Sequence, residues 1–314
     1  MKVNFGFWSF SSHLKNKVIP SIRQNKNINP KKILTSKNII INNRFLKNTK
    51  VIKDKKKFLE DQDIKIVYIS SISKNHFKNS LEALKYNKNV ICEKPICLNY
   101  KDFKKLLLLC KKKKLKIFEV YQYIHHPLFI KIKKIIKKKE IGEISIIKSS
   151  FTIPLNDKKN FRFNNKLGGG ALNDIGVYPL SIPFFLFNNP KLKILEKNIL
   201  RLKNNGVDIS GNVLSKINNK LFYKFNWGFN LPYTNYLRIV GSKGKMECEF
   251  IFSKKVEQSG LIKITKNNKQ RIINIKKSNQ INRAFNSYIF QKNINKNNKI
   301  SIQILKMLEK LRKK

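Results

Sequence analysis

Asn89-Val90-Ile91-Cys92-Glu93-Lys94-Pro95 is an apolar run closed by a charged pair and a proline. Such a run, without polar alternation, reads as a strand buried on both faces, as in a parallel sheet. Pro95 restricts the residue before it to extended conformations, so Lys94 stands on a fixed turn at the strand's end. The surrounding pattern agrees. Strands are predicted at Val3–Trp8, Lys32–Thr35, Ile64–Ser70 and Leu115–Val120, and helices at Lys15–Gln24, Phe77–Tyr86 and Lys101–Lys113. Pro20 kinks the first helix or marks a late start. Strands alternating with helices predict an α/β fold, a parallel sheet with crossover helices.

The pattern changes near Val120–His126. Leu128–Lys138 is a predicted helix. After it the apolar spacing falls to two along Ile144–Phe151, Lys193–Leu202, Val213–Ile217, Leu221–Phe225, Leu237–Val240, Lys245–Phe252 and Leu261–Thr265. Those runs predict one large, open antiparallel sheet. Residues 291–299 read as a polar surface loop and Ser301–Arg312 as a final amphipathic helix. The expected domains are therefore 1–122, α/β, and 123–314, α+β.

Within the second half lies Gly168-Gly169-Gly170-Ala171-Leu172-Asn173-Asp174-Ile175-Gly176-Val177-Tyr178. A glycine-rich loop leads into a predicted helix that carries Asp174 and Tyr178 four residues apart, on one face. A lysine, a tyrosine and a carboxylate are the parts needed to move a proton at a carbonyl.

Composition bounds the alternatives. The chain has 314 residues, 41% of them hydrophobic, enough for two ordinary domains. No run approaches the ~20 apolar residues of a membrane span. The N-terminal stretch reads as a first strand rather than a signal peptide, which places the protein in the cytoplasm. Cys92, Cys97, Cys110 and Cys248 form no CxxC pair, so buried free thiols are expected and no metal site. The net charge is +50, but 60 of the 68 basic residues are lysines spread along the chain. Nucleic-acid recognition favours arginine and interleaved aromatics, so solvated lysine faces are the expectation.

The two stretches, in this order, resemble the glucose-fructose oxidoreductase / inositol dehydrogenase (Gfo/Idh/MocA) family, and the resemblance extends over nearly the whole chain. Gly206–Gly211 and Tyr236–Gly244 look most like a subgroup containing nucleotide-sugar 3-ketoreductases. Dihydrodiol dehydrogenases share the Phe151-Thr152-Ile153-Pro154 stretch. The resemblance implies a Rossmann-like first domain, oxidoreductase activity on a sugar or nucleotide-sugar, and a homodimer or homotetramer.

It also implies a site. Ser9 and Ser11 fall on the first two glycine positions of the phosphate loop, around Phe10, and Leu14 on the third. Ser36 and Lys37 stand where an NAD site carries an acid, which favours NADP while leaving NAD possible. Ser71 and His76 match the loop beside the nicotinamide, with His76 either a cofactor contact or a structural residue. Glu93 supports Lys94. Tyr178 becomes the proton donor, Lys94 polarises the carbonyl and Asp174 orients, with His125 and Arg162 toward the substrate. The altered loop leaves a second reading, a cofactor- or sugar-binding protein without turnover.

Overall fold

The computed structural model describes residues 2–41, 43–157, 159–204, 206–290 and 292–313. They fall into two compact units. One comprises residues up to Tyr121 together with Ile281–Glu309; the other runs Gln122–Gln280 and resumes at Lys310.

The first unit is built on parallel strands. They are β1 (Val3–Trp8), β2 (Ile28–Leu34), β3 (Lys50–Ile52), β4 (Ile66–Ile69), β5 (Asn89–Glu93) and β6 (Ile117–Val120). Their order in the sheet is β3-β2-β1-β4-β5-β6. That is the doubly wound order, in which the chain reverses its winding between β1 and β4 and opens a crevice at their carboxyl ends. The connecting helices are α1 (Ile19–Ile22), α2 (Lys55–Glu60), α3 (Ser73–Lys85) and α4 (Tyr100–Lys113). A wide π turn, Leu14–Val18, precedes α1, and Pro20 sits in the first turn of α1. Proline has no N–H for the helical ladder, so it is tolerated there. Strand β2 starts earlier than the sequence spacing predicts and contains Pro30. Its register against β1 shifts just there, between Phe5 and Gly6, because proline cannot donate to the ladder.

The second unit begins with α5 (Pro127–Lys137), then β7 (Ile144–Ile153) and α6 (Val177–Leu186). The strands β8 (Leu192–Arg201), β9 (Asp208–Ile217), β10 (Leu221–Phe229), β11 (Thr234–Gly241), β12 (Gly244–Glu249), β13 (Gly260–Lys266) and β14 (Lys269–Ile275) follow. The sheet order is β14-β13-β12-β11-β7-β10-β9-β8. The sheet departs from pure antiparallel pairing, since β7 and β10 run parallel at its centre. No tight turn joins β7 to β10: the chain leaves β7 by a helical excursion and reaches β10 through β8 and the tight β9–β10 turn, so the two strands are free to run parallel. Strand β14 escaped the sequence reading because it is a polar edge strand. It is joined to β13 by a two-residue turn, Asn267-Asn268, both with positive φ.

Two helices close the chain, α7 (Gln280–Ile289) and α8 (Ile294–Arg312). The expected 291–299 loop is therefore largely the first turns of α8, with residue 291 outside the described set. The expected second domain also ends early, because Ile281–Glu309 packs with the first unit. Ile281, Ala284, Phe285 and Tyr288 share one helical face and join a core with Phe5, Tyr68 and Phe118.

Candidate active site

In the first unit the candidate residues gather at the carboxyl ends of β1, β2, β4 and β5. The chain leaves β1 at Ser9, whose φ is +80°. This is a glycine-like backbone held by a serine. The Ser9 N–H donates to Leu34 O at 2.8 Å. A relay of hydroxyls fixes the rest of the loop. Leu14 N–H donates to Ser11 Oγ (3.1 Å), Ser11 Oγ to Ser70 Oγ (3.1 Å), and Ser70 Oγ to Ser9 O (3.2 Å). Ser11 thus caps the helix that follows, and its hydroxyl is engaged by protein groups rather than held open. Ser70, at the end of β4, was not among the sequence candidates; nothing local marks it.

Leu14 replaces a glycine without obstruction, since its side chain is fully buried in the core beneath the sheet. It opens the π turn, a form that recurs at functional positions. Phe10 is partly buried against the same core. Ser36 and Lys37 are exposed just past β2, where the Lys37 N–H donates to Thr35 Oγ1 at 3.2 Å.

The other wall follows β4 and β5. His76 on α3 is buried, with Nδ1 2.8 Å from Pro95 O and Nε2 2.8 Å from Ser71 O. Burial pulls its pKa below the usual value, against the two carbonyls, which favour the charged form. Each ring nitrogen faces a backbone carbonyl. The neutral ring carries one N–H, so it donates to one of these two carbonyls while lying between the Ser71 loop and the Lys94 turn. The Lys94–Pro95 bond is cis. Glu93 accepts from Tyr68 Oη at 2.7 Å and lies 3.3 Å from His13 Nε2. Burial pushes its pKa up, but His13, Tyr68 and Lys94 outweigh that and hold it below the ordinary carboxylate value. Glu93 is thus ionised at neutral pH.

In the second unit Gly170 has φ +110°, and a Cβ there would meet Asp208 Oδ1 at 2.3 Å. Only glycine fits. Asp208, buried on β9, accepts from the Leu172 N–H at 2.6 Å and from Trp227 Nε1 at 3.2 Å, and so holds the start of the following helix. Burial raises its pKa. The helix starts as a second π turn, Leu172–Gly176, and continues as α6. Asp174 lies in the π turn, with Arg162 Nε 2.5 Å from its Oδ2. Asn173 Oδ1 accepts from Arg312 Nε at 3.1 Å. Tyr178, one turn on, is 8% exposed. Its ring packs edge-on to Phe151 (5.6 Å) and Tyr123 (6.1 Å) and against Phe252 (5.9 Å). Aromatic packing on these sides fixes the orientation of the phenol ring. His125 is half-buried at the end of a short 3-10 turn before α5. No cluster of metal-ligating side chains occurs among the described residues.

Comparison with known proteins agrees with this geometry. A sequence profile described as "Oxidoreductase family, NAD-binding Rossmann fold" matches residues 37–121, and one for the GFO/IDH/MocA C-terminal domain matches residues 129–247. A dTDP-3,4-didehydro-2,6-dideoxy-alpha-D-glucose 3-reductase from Saccharopolyspora spinosa is 28% identical over 74% of this chain and 70% of its own length. The Streptomyces violaceoruber enzyme of the same name is 30% identical over 62% of this chain, a match spanning 57% of that protein. KijD10, a 3-ketoreductase from Actinomadura kijaniata solved with NADP and TDP-benzene, superimposes with a TM-score of 0.90. The match covers 99% of this chain and 97% of KijD10 at 19% identity.

Proposed function

This chain belongs to the GFO/IDH/MocA family of oxidoreductases with an NAD-binding Rossmann fold, and from that premise we propose that it reduces a carbonyl of a nucleotide-linked sugar with NADPH. The carrying observation is the strand order β3-β2-β1-β4-β5-β6, with Lys94 at the end of β5 and Ser36–Lys37 exposed at the end of β2.

The residues fit a phosphorylated dinucleotide. The left-handed backbone at Ser9 preserves the turn that a glycine would make. Ser36 and Lys37 supply a hydroxyl and a cation, where an acid would repel a 2′-phosphate. NADPH, when bound, supplies the hydride. Lys94 polarises the carbonyl and favours negative charge on its oxygen. Tyr178 donates its phenolic proton to that oxygen. Asp174 holds Arg162 toward the substrate, and His125 serves the same side. The preference for a nucleotide-sugar draws on the 3-reductase relatives and on the positive charge of the protein.

We place the enzyme in the cytoplasm; no described helix is long and apolar enough to cross a membrane. We also propose a homodimer or homotetramer. Phe222, Ile146 and Val240 form one row across the open face of the second sheet, and Phe222 and Val240 are exposed. The rival reading, binding without turnover, draws on Ser11, whose hydroxyl is already engaged.

The deciding experiment titrates the purified protein with NADPH and NADH by nicotinamide fluorescence, then adds a dTDP-linked keto-sugar. NADPH-selective binding followed by oxidation on adding sugar is expected. Binding without oxidation on any keto-sugar would favour the rival.

A further inference from the structure

Glu119 lies on β6 opposite Cys92 of β5 and is 3% exposed. Its Oε1 accepts the N–H of Ile96, two residues past Lys94, at 2.9 Å, and Tyr121 Oη stands 3.4 Å from the same oxygen. Its Oε2 is buried and makes no full hydrogen bond among the described residues. The Ser301 hydroxyl of α8 lies close enough to favour the charged form. The groups that face it are Lys94 and Cys97 from the turn, Cys92 from β5, Tyr121 from the end of β6, and Ser301. Burial keeps both thiols protonated, so Glu119 is the acid of this cluster. Burial also pushes the Glu119 carboxyl up to about 7, against Ser301, Ile96, Tyr121 and Lys94.

A buried carboxyl with one oxygen on a turn amide and a hydroxyl near the group has two stable forms. Ionised, it grips the Ile96 amide with a charge-assisted bond. Protonated, it keeps only a neutral, weaker one. We propose that Glu119 is a positioning residue for Lys94, whose proton sets how firmly the lysine-bearing turn is held and thereby the rate of the reaction assigned above. This rests on that assignment only for the rate; the hold on the turn stands by itself.

The test follows the Ile96 amide resonance of the whole chain by 1H,15N NMR from pH 5.5 to 9, alongside kcat for keto-sugar reduction. In the wild type, the amide shift and kcat should share one inflection near neutrality, with kcat rising as pH rises. In Glu119→Gln both inflections should vanish. There kcat at pH 8.5 should fall about tenfold while NADPH affinity and KM hold, as loss of one charged hydrogen bond allows. Ser301→Ala, which keeps the acid but removes a partner of its ionised form, should move both inflections to higher pH. An Ile96 amide that does not titrate, or that titrates unchanged in Glu119→Gln, overturns the proposal. So does a kcat inflection that survives the Gln substitution. If the wild type reduces no keto-sugar, the assigned reaction fails instead, and the amide titration alone still decides whether the Glu119 proton moves the turn.

Discussion

Arg162 Nε stands 2.5 Å from Asp174 Oδ2, and the pair joins a 3-10 turn to the π turn that opens the Tyr178 helix. The side chains keep 31% and 22% of their exposure, so solvent screens much of the attraction. Arg162→Gln should cost no more than about 1 kcal/mol in urea unfolding. Its larger effect should fall on KM for the sugar, with NADPH affinity unaltered. An unchanged KM would remove Arg162 from the substrate side.

Tyr178→Phe keeps the ring among Phe151, Tyr123 and Phe252 and removes only the hydroxyl. Turnover should drop by ~10²-fold or more, as for a lost general acid. Lys94→Ala should do likewise, with NADPH still bound in fluorescence titration. Turnover unaffected in both variants would sink the catalytic assignment.

Ser9 carries φ +80° on a residue with a Cβ. The left-handed region costs an L-residue about 1–2 kcal/mol, which glycine avoids. Ser9→Gly should therefore raise Tm by a few degrees, a shift of about 2–4 °C per kcal/mol at this size. NADPH affinity should hold or improve. A lower Tm would mean that the Ser9 side chain makes a favourable contact outweighing the strain.

Lys37→Glu places an acid where the 2′-phosphate is proposed to sit. NADPH binding should weaken by roughly tenfold or more, about 1.4 kcal/mol, while NADH binding stays or tightens. Equal losses for both nucleotides would assign Lys37 to general attraction.

Glu119 also makes a stability prediction, with a sign opposite to most acids. Its pKa is raised from 4.5 to about 7 by burial, so the folded state holds the proton more tightly than the unfolded chain. Its stabilising contribution is present below pH 4.5 and is lost as pH rises toward 7. Above that, the buried charge costs on the order of 3 kcal/mol. Glu119→Gln should match the wild type at pH 4.5 and exceed it at pH 8.5 in denaturant unfolding. A constant difference at both pH values would show that the carboxyl does not titrate in this window.

Much of this was legible in the chain. Apolar runs without alternation marked the buried parallel strands, and period-two spacing marked the second sheet. Glu93-Lys94-Pro95 reported its own turn, because proline constrains its neighbour. What stayed hidden depends on distant partners. Ser70 and Asp208 look like ordinary strand-end residues until the fold brings them to Ser11 and to Leu172. Glu119 sits in a run of apolar neighbours, and its near-neutral acidity comes from burial supplied by other elements. The engagement of the Ser11 hydroxyl could not be read from the sequence, because its acceptor lies on another strand. The β7–β10 pairing was invisible for a similar reason, since alternation records which face is buried and not the direction of the neighbour.

Phe285 of α7 lies 6.0 Å from the Phe5 ring and 5.2 Å from Tyr68. The unit that carries Ser9 and Lys94 is thus finished by residues made after the whole second sheet. On the ribosome, its first strands must wait for Ile281–Glu309 while the whole second sheet is translated. Until then Phe5 and Tyr68 lack part of their cover, a state prone to association. A fragment cut after Tyr121 would carry that exposure permanently and should be recovered from cells as aggregate rather than as an independent cofactor domain.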